Sequence, residues 1–285
     1  MNLVKNKKQK FSLPINTNSF KYRIETKQTI NSMGANKENI IAYEVSKRFL
    51  KRDEFGYLFE VLVNTRERKT TDCNQEMDDY LSKLQEKIIL YTNEIGQIIS
   101  IVNFGEIVEI WEDIKRNFRK TFKKTKDIDQ IMEKMSLIMS KQDNFLTLYI
   151  KSEISSLLFP PIYIDELELL TTGTLQFKVI PYLFGVFSAP LNMLTKYLKD
   201  QSKNSERIIG RSGFIKESLF ERIAIQQMYR EIYSSPSMNA SINCDCSEMF
   251  YINQENNINS SYQVLNVSIG EVYSFNQFTN AVMQK

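Results

Sequence analysis

The chain of 285 residues contains no histidine. That absence removes Ser-His-Asp and Cys-His constellations, HExxH zinc sites and any histidine-based pH switch, because no other unperturbed side chain titrates near neutrality. Catalysis would have to run through carboxylates, lysine, tyrosine or cysteine, and the expectation is that the protein is not an enzyme. Cysteine is nearly as scarce. Cys73, Cys244 and Cys246 make an odd count that fits a reducing compartment better than a disulfide framework. In "NCDCS" the two thiols are separated by one residue, so on a strand both face the same way and a bond between them would be strained. No zinc-ligand spacing is met, and neither a metal nor a cofactor is expected.

Glycine and proline number only nine and six. No G-x-G-x-x-G fingerprint, P-loop or nucleophile elbow occurs, and "GRSG" at 210–213 reads as a turn. Long apolar runs are missing too: none approaches the ~20 residues that would span a bilayer as a helix. The basic start, "MNLVKNKKQKFSLP", lacks the apolar stretch of a secretory signal, so the expected location is cytoplasmic. Neither sign of charge dominates, and a net charge of +3 argues against nucleic acid as the partner. At 42% hydrophobic and 25% charged residues the composition is that of a folded protein.

What is present is patterning. "FKYRIET", "IIAYEVSKRFL" and "YLFEVLVN" alternate apolar and polar residues and predict long antiparallel strands with one buried face. The loops "NSMGANKEN" and "KRDEFG" separate them. "KIILYTN" and "QIISIVN" flank a hairpin at Gly96, and the period changes within "NEIGQIISIVNFGEIVEIW", where strand gives way to helix. Asn103 is the expected N-cap, with Glu106 placed to complete a capping box. Phe104, Ile107, Val108, Trp111, Ile114, Phe118 and Phe122 then form one apolar stripe. Further helices are expected near Asp127 and Asp143, ending at "FPP".

Strand returns at "GTLQFKVIP". "YLFGVFSAPLNMLTKYL" reads as loop passing into weak helix, and "ERIIGRSGFI" as a hairpin turning at Gly210 to Gly213. "KESLFERIAIQQMYREIY" reads as a helix with Phe220, Ile223, Ala224, Gln227, Met228 and Ile232 along one side. Two strands flank the turn "NQENN" near the end. The organisation expected is a basic tail over residues 1–10 and a single α+β domain over 11–285, with a helical block at about 103–159 between β segments.

Two constellations stand out against bland readings. "KRNFRKTFKKTK" sets Lys115, Arg116, Arg119, Lys120, Lys123 and Lys124 at helical spacing beside the aromatic stripe, as a candidate partner surface. Its bland reading is a solvated face that complements the helix dipole. "IMEKMSLIMSKQ" supplies Met132, Met135 and Met139, which with Trp111 are candidate lining for an apolar cavity. Its bland reading is ordinary core. Carboxylates such as Asp78 with Asp79, or Asp165, Glu166 and Glu168, leave a carboxylate-dependent hydrolase as a further alternative.

The element order, with long antiparallel strands, a hairpin feeding helices, and a closing hairpin from "YINQENNI" to "YQVLNVSIG", resembles the half-barrel of bacterial lipoprotein-carrier and related lipoprotein domains. That resemblance implies a curved antiparallel sheet with helices packed on one face, holding acyl chains or a protein partner. The sequence thus leads to an α+β binding protein whose partner is a protein, as for adaptor or immunity-type proteins. Carriage of an apolar ligand or lipid is the first alternative.

Overall fold

The computed structural model describes residues 11–32, 35–70, 75–123, 128–163, 173–184, 187–198, 207–234 and 241–284. Among them are eleven strands and six α-helices. In chain order these are β1 (Ser19–Ser32), β2 (Ala35–Arg52), β3 (Tyr57–Thr70), α1 (Gln75–Ser82), β4 (Lys87–Thr92) and β5 (Ile98–Ile101). The helical block follows as α2 (Phe104–Thr121), α3 (Ile128–Met139), α4 (Gln142–Tyr149) and α5 (Glu153–Leu158). Then come β6 (Thr174–Phe184), β7 (Phe187–Leu198), β8 (Arg207–Ile215), α6 (Arg222–Ile232), β9 (Ile242–Ile252), β10 (Ile258–Ile269) and β11 (Tyr273–Gln284). Residues 1–10, read as a basic tail, lie outside the described residues.

The chain divides into two compact units. The first comprises the described residues within Met1–Pro14, Lys27–Glu38 and Ile162–Asn280; the second comprises Ile15–Thr26, Asn39–Pro161 and those within Ala281–Lys285. In the first unit the hydrogen-bonded strand order is β1-β11-β10-β9-β8-β7-β6, and in the second it is β5-β4-β3-β2-β1. The pairs β6·β7, β7·β8, β8·β9 and β9·β10 are antiparallel, as are β2·β3, β3·β4 and β4·β5. Antiparallel sheet accompanied by helices agrees with the expected class, although strand takes the larger part.

In the second unit the alternation works as read. Tyr57, Phe59 and Val61 of β3 and Ile88 and Leu90 of β4 point inward and are buried, with Phe59 opposite Leu90 and Val61 opposite Ile88. Helix α2 buries Ile107, Trp111, Ile114 and Phe118, each such side chain contributing roughly 1.5–3 kcal/mol. Aromatic edges join the layers. Phe59 meets Phe159 at 5.4 Å, Tyr80 of α1 meets Phe118 and Phe122 at 6.2 and 5.5 Å, and Phe104 meets Phe145 of α4 at 6.0 Å. Gly96 closes the β4–β5 turn with φ of +88°, a conformation that glycine adopts without a Cβ penalty.

The period switch is a strand-to-helix corner, but its cap differs from the capping box expected there. Asn103 occupies the N-cap and makes no side-chain bond to its own helix. Its amide instead accepts from the Ile89 N–H at 2.8 Å and donates to the Lys87 carbonyl at 3.1 Å, tying the helix start to β4. Glu106 turns to Lys87 Nζ at 3.3 Å. Strand backbone beside the corner competed for the asparagine and won, because it offers a donor and an acceptor together.

Other expectations are corrected. The helix expected near Asp143 is two, broken at Ile150 to Ser152, and the Ser152 hydroxyl caps the second by accepting from the Ser155 N–H. The stretch expected to be loop and helix is strand over Phe187–Leu198: β7 alternates with Ala189, Leu191, Met193 and Thr195 buried. "RIIGRSGFI" is one continuous strand, β8, rather than a hairpin. Its glycines serve close approach, since a Cβ on Gly213 would lie 2.5 Å from the Met193 sulfur. Helix α6 buries Ile225 and Tyr229, whereas Ile223 and Ile232, expected on its inner side, are exposed. The first unit's core gathers that pair with Phe184, Leu191, Met193, Ile242, Cys244, Cys246, Leu265, Val267 and Ile269.

Candidate functional site

Helix α2 carries its aromatic stripe inward and its basic residues outward, because the two sets fall on different sides of a 3.6-residue period. Helix α3 runs beside it. Between them lies an open groove of about 710 Å³, lined by Lys115, Arg116, Arg119, Lys120 and Lys123 of the α2 side and by Asp129, Met132, Glu133 and Ser136 of α3. Five of the six basic residues singled out in the sequence therefore meet in one concavity; Lys124 lies outside the described residues. Arg119 is paired with Asp129 at 2.7 Å and Lys115 with Glu112 at 3.6 Å. Arg116, Lys120 and Lys123 form no ion pair among the described residues. Aliphatic stems of these side chains and the Met132 thioether supply apolar wall below the charges.

Of the residues proposed to line an apolar cavity, Met132 alone reaches this groove. Trp111 and Met139 are buried in the packing of the helical layer, and Met135 is half-buried. The indole N–H of Trp111 is buried with no hydrogen-bond acceptor among the described residues.

The acids named as alternatives are engaged or out of view. Asp78 bonds Arg68, and Asp79 bonds Arg66 at 3.1 Å. Asp165, Glu166 and Glu168 lie outside the described residues. Cys244 and Cys246 face the same side of β9, as the alternation required, and are free thiols in the core. Burial pushes them up to about 12 and about 11 respectively, so neither is a poised nucleophile. Cys73 lies outside the described residues.

Sequence reasoning missed a buried polar belt in the first unit. Thr174, Thr195, Arg211, Glu248 and Gln263 stand opposite one another across β6, β7, β8, β9 and β10. Arg211 bonds Glu248 through one guanidinium nitrogen, Gln176 through another at 3.0 Å, and the Thr195 hydroxyl at 3.3 Å. Lys178 and Gln263 complete the shell of Glu248 at 2.5 and 2.7 Å. Burial alone would raise the Glu248 carboxyl, but Lys178 and Arg211 outweigh it and hold the group down at about 2. The signal was legible: in "INCDCSEMFYI" Glu248 falls in phase with Ile242, Cys244, Cys246, Phe250 and Ile252.

The second unit also turns a cation inward. Lys47 of β2 is in phase with Val45 and Phe49, is 6% exposed, and donates to the Leu158 carbonyl at the end of α5 at 2.7 Å. The rings of Phe159 and Phe59 lie 4.2 and 5.2 Å from its nitrogen. Burial lowers its pKa to about 7. It closes the carboxyl end of a helix, where a cation complements both the dipole and an unpaired carbonyl.

No family model matches the chain, and no curated protein matches it. Among solved structures, one described as "lipid-protein interactions in lipovitellin" is similar over 98% of this chain, at 8% identity and a TM-score of 0.47. The chain spans 26% of the length of that protein. A DUF1329 family protein from Desulfovibrio piger is similar over 93% of this chain and 85% of its own length, at 7% identity and a TM-score of 0.18. No helix among the described residues is long and apolar enough to cross a membrane.

Proposed function

We propose that the chain is a non-catalytic binding protein whose α2–α3 groove takes the anionic end of an amphiphilic ligand, with the apolar portion lying along the aliphatic wall. The observation that carries this reading is the convergence of three cations, Arg116, Lys120 and Lys123, which form no ion pair among the described residues, with Met132 in one open groove. Its volume falls in the range of small-ligand sites. A carboxylate or phosphate head would find fork-shaped and point-charge donors there, and an alkyl chain would find lysine stems and a thioether. The absence of histidine supports a site that holds rather than transforms, as do the acids already committed to Arg66, Arg68 and Arg211. Two free buried thiols fit a reducing, cytoplasmic setting.

Native mass spectrometry of freshly purified protein tests the proposal. The expected result is a retained or readily loaded long-chain anion such as dodecyl phosphate, lost when Arg116, Lys120 and Lys123 are changed together to Glu. Equal loading of the triple variant would remove the groove from the function.

One observation favours a second reading, an acidic segment of a protein partner. The side-chain carboxylate of Asp129 accepts from Arg119 at 2.7 Å, the contact that an acidic side chain of a partner would make with the groove's other cations. Co-purification from the native host of a protein whose binding the same triple variant abolishes, with no small adduct in the mass spectrum, would select the adaptor or immunity-type role over the carrier.

A further inference from the structure

The outer face of strands β6, β7 and β8 carries large apolar side chains where the alternation calls for polar ones. The inner rows are spent on the core and on the polar belt. The outer rows carry Leu175 and Phe177 of β6, Leu198 of β7 and Phe214 of β8, which are 66%, 54%, 40% and 50% exposed. Register sets Leu175 opposite Leu194 and, in the adjoining row, Phe177 and Phe214 on either side of Asn192, while Leu198 lies apart opposite Ile208. Large exposed side chains scattered singly need no explanation, but a contiguous group on one sheet face marks an interaction surface.

Charge selects the occupant. No aspartate or glutamate occurs anywhere in β6, β7 or β8. The cations that border the patch are Lys196, exposed on the outer row of β7, and Lys216, whose ammonium lies 5.1 Å from the centre of the Phe177 ring. A second copy seated face to face would set these cations against strands that carry no acid. An anionic bilayer surface offers both complements, apolar depth for the phenylalanines and leucines and negative headgroups for lysines that reach outward from an apolar body.

We infer that the outer face of β6–β8 docks this protein onto an anionic lipid bilayer, with Leu175, Phe177 and Phe214 entering the interface and Lys196 and Lys216 meeting headgroups. The inference does not depend on the α2–α3 groove, which lies in the other unit.

The test is flotation of the full chain with vesicles of phosphatidylcholine alone or of equimolar phosphatidylcholine and phosphatidylglycerol. The variants are F177S/F214S, K196Q/K216Q and the groove triple R116E/K120E/K123E. All five sheet-face and rim positions considered are solvent-facing, and an unchanged urea midpoint confirms the fold of each variant. The expected pattern is binding to the anionic vesicles only, weakened by high salt, reduced about fivefold for each lysine removed, and lost in F177S/F214S. The groove triple still floats with the anionic vesicles. Absence of flotation overturns the inference, and so does flotation that F177S/F214S leaves unchanged or that only the groove triple abolishes. A dimer seen by light scattering, broken by F177S/F214S without any vesicle binding, assigns the face to a second copy instead.

Discussion

The two units bury the inner face of an antiparallel sheet in different ways. In the second, four helices of the central block supply an aromatic and aliphatic cover, and a single inward lysine closes the end of one of them. In the first, α6 and the apolar row of Cys244, Cys246 and Leu265 cover part of the strands, and a chain of polar side chains in register continues the face from Thr174 to Gln263. The difference teaches how each tolerates buried charge. Glu248 is stable as an anion because two cations and an amide reach it, whereas Lys47 has a carbonyl and two rings but no counter-ion among the described residues. A satisfied network keeps its charge, while a lone buried cation is driven toward neutrality.

The sharpest way to break that comparison is Glu248→Gln. It leaves Arg211 and Lys178 without their carboxylate in a buried setting, and a loss of about 3–5 kcal/mol in urea unfolding is expected. Replacing Glu248 and Arg211 together by methionine should restore much of that loss, since no charge is then left unpaired. A loss under about 1 kcal/mol for the single change would mean that the belt is solvated in practice.

Next in size is the dependence on pH, where both groups have folded pKa values below their ordinary ones and therefore raise stability as pH rises, in separate windows. Glu248 contributes fully above its ordinary value of 4.5 and loses that contribution as pH falls toward about 2. Lys47, ordinarily 10.5 and about 7 when folded, binds fewer protons in the native state between those values. Stability should then climb from pH 7 upward by as much as ~1.4 kcal/mol per unit from this group. Lys47→Met should flatten the alkaline rise and leave the acid limb unchanged. Urea midpoints at a series of pH values read both.

The smallest effect concerns the corner at Asn103. Asn103→Ala removes two bonds to β4 from a buried position and should cost about 1–2 kcal/mol. Glu106→Ala breaks only a solvent-exposed contact with Lys87 and should stay within about 0.5 kcal/mol of the parent. The reverse order would restore the capping box to the account.

These residues also show where the sequence was legible. Period-two runs in β1 to β5 and the stripe from Phe104 to Phe122 located elements well, since each has one wet and one dry face. The pattern failed where both faces are apolar. In β7, Leu194 and Leu198 on the outer row alternate with Leu191 and Met193 on the inner and erase the period, so it read as loop and weak helix, while β8 read as a hairpin punctuated by glycine. The basic residues of the groove were visible because helical spacing puts them together on one element. Their neighbours across it, Asp129 and Glu133, were not, because nothing in spacing along one helix says which side of the next helix will face it. Glu248 and Lys47 were in phase with apolar rows, but a charge in such a row gains meaning only from partners on other strands.

The central claim is that the α2–α3 groove recognises a negative head joined to an apolar body. Titration calorimetry of dodecyl phosphate against neutral dodecanol, with the parent chain and with R116E/K120E/K123E, tests it most directly. Saturable heat for the phosphate with the parent alone is the predicted result. Equal uptake of both ligands, or phosphate binding that survives in the charge-reversed chain, would contradict it.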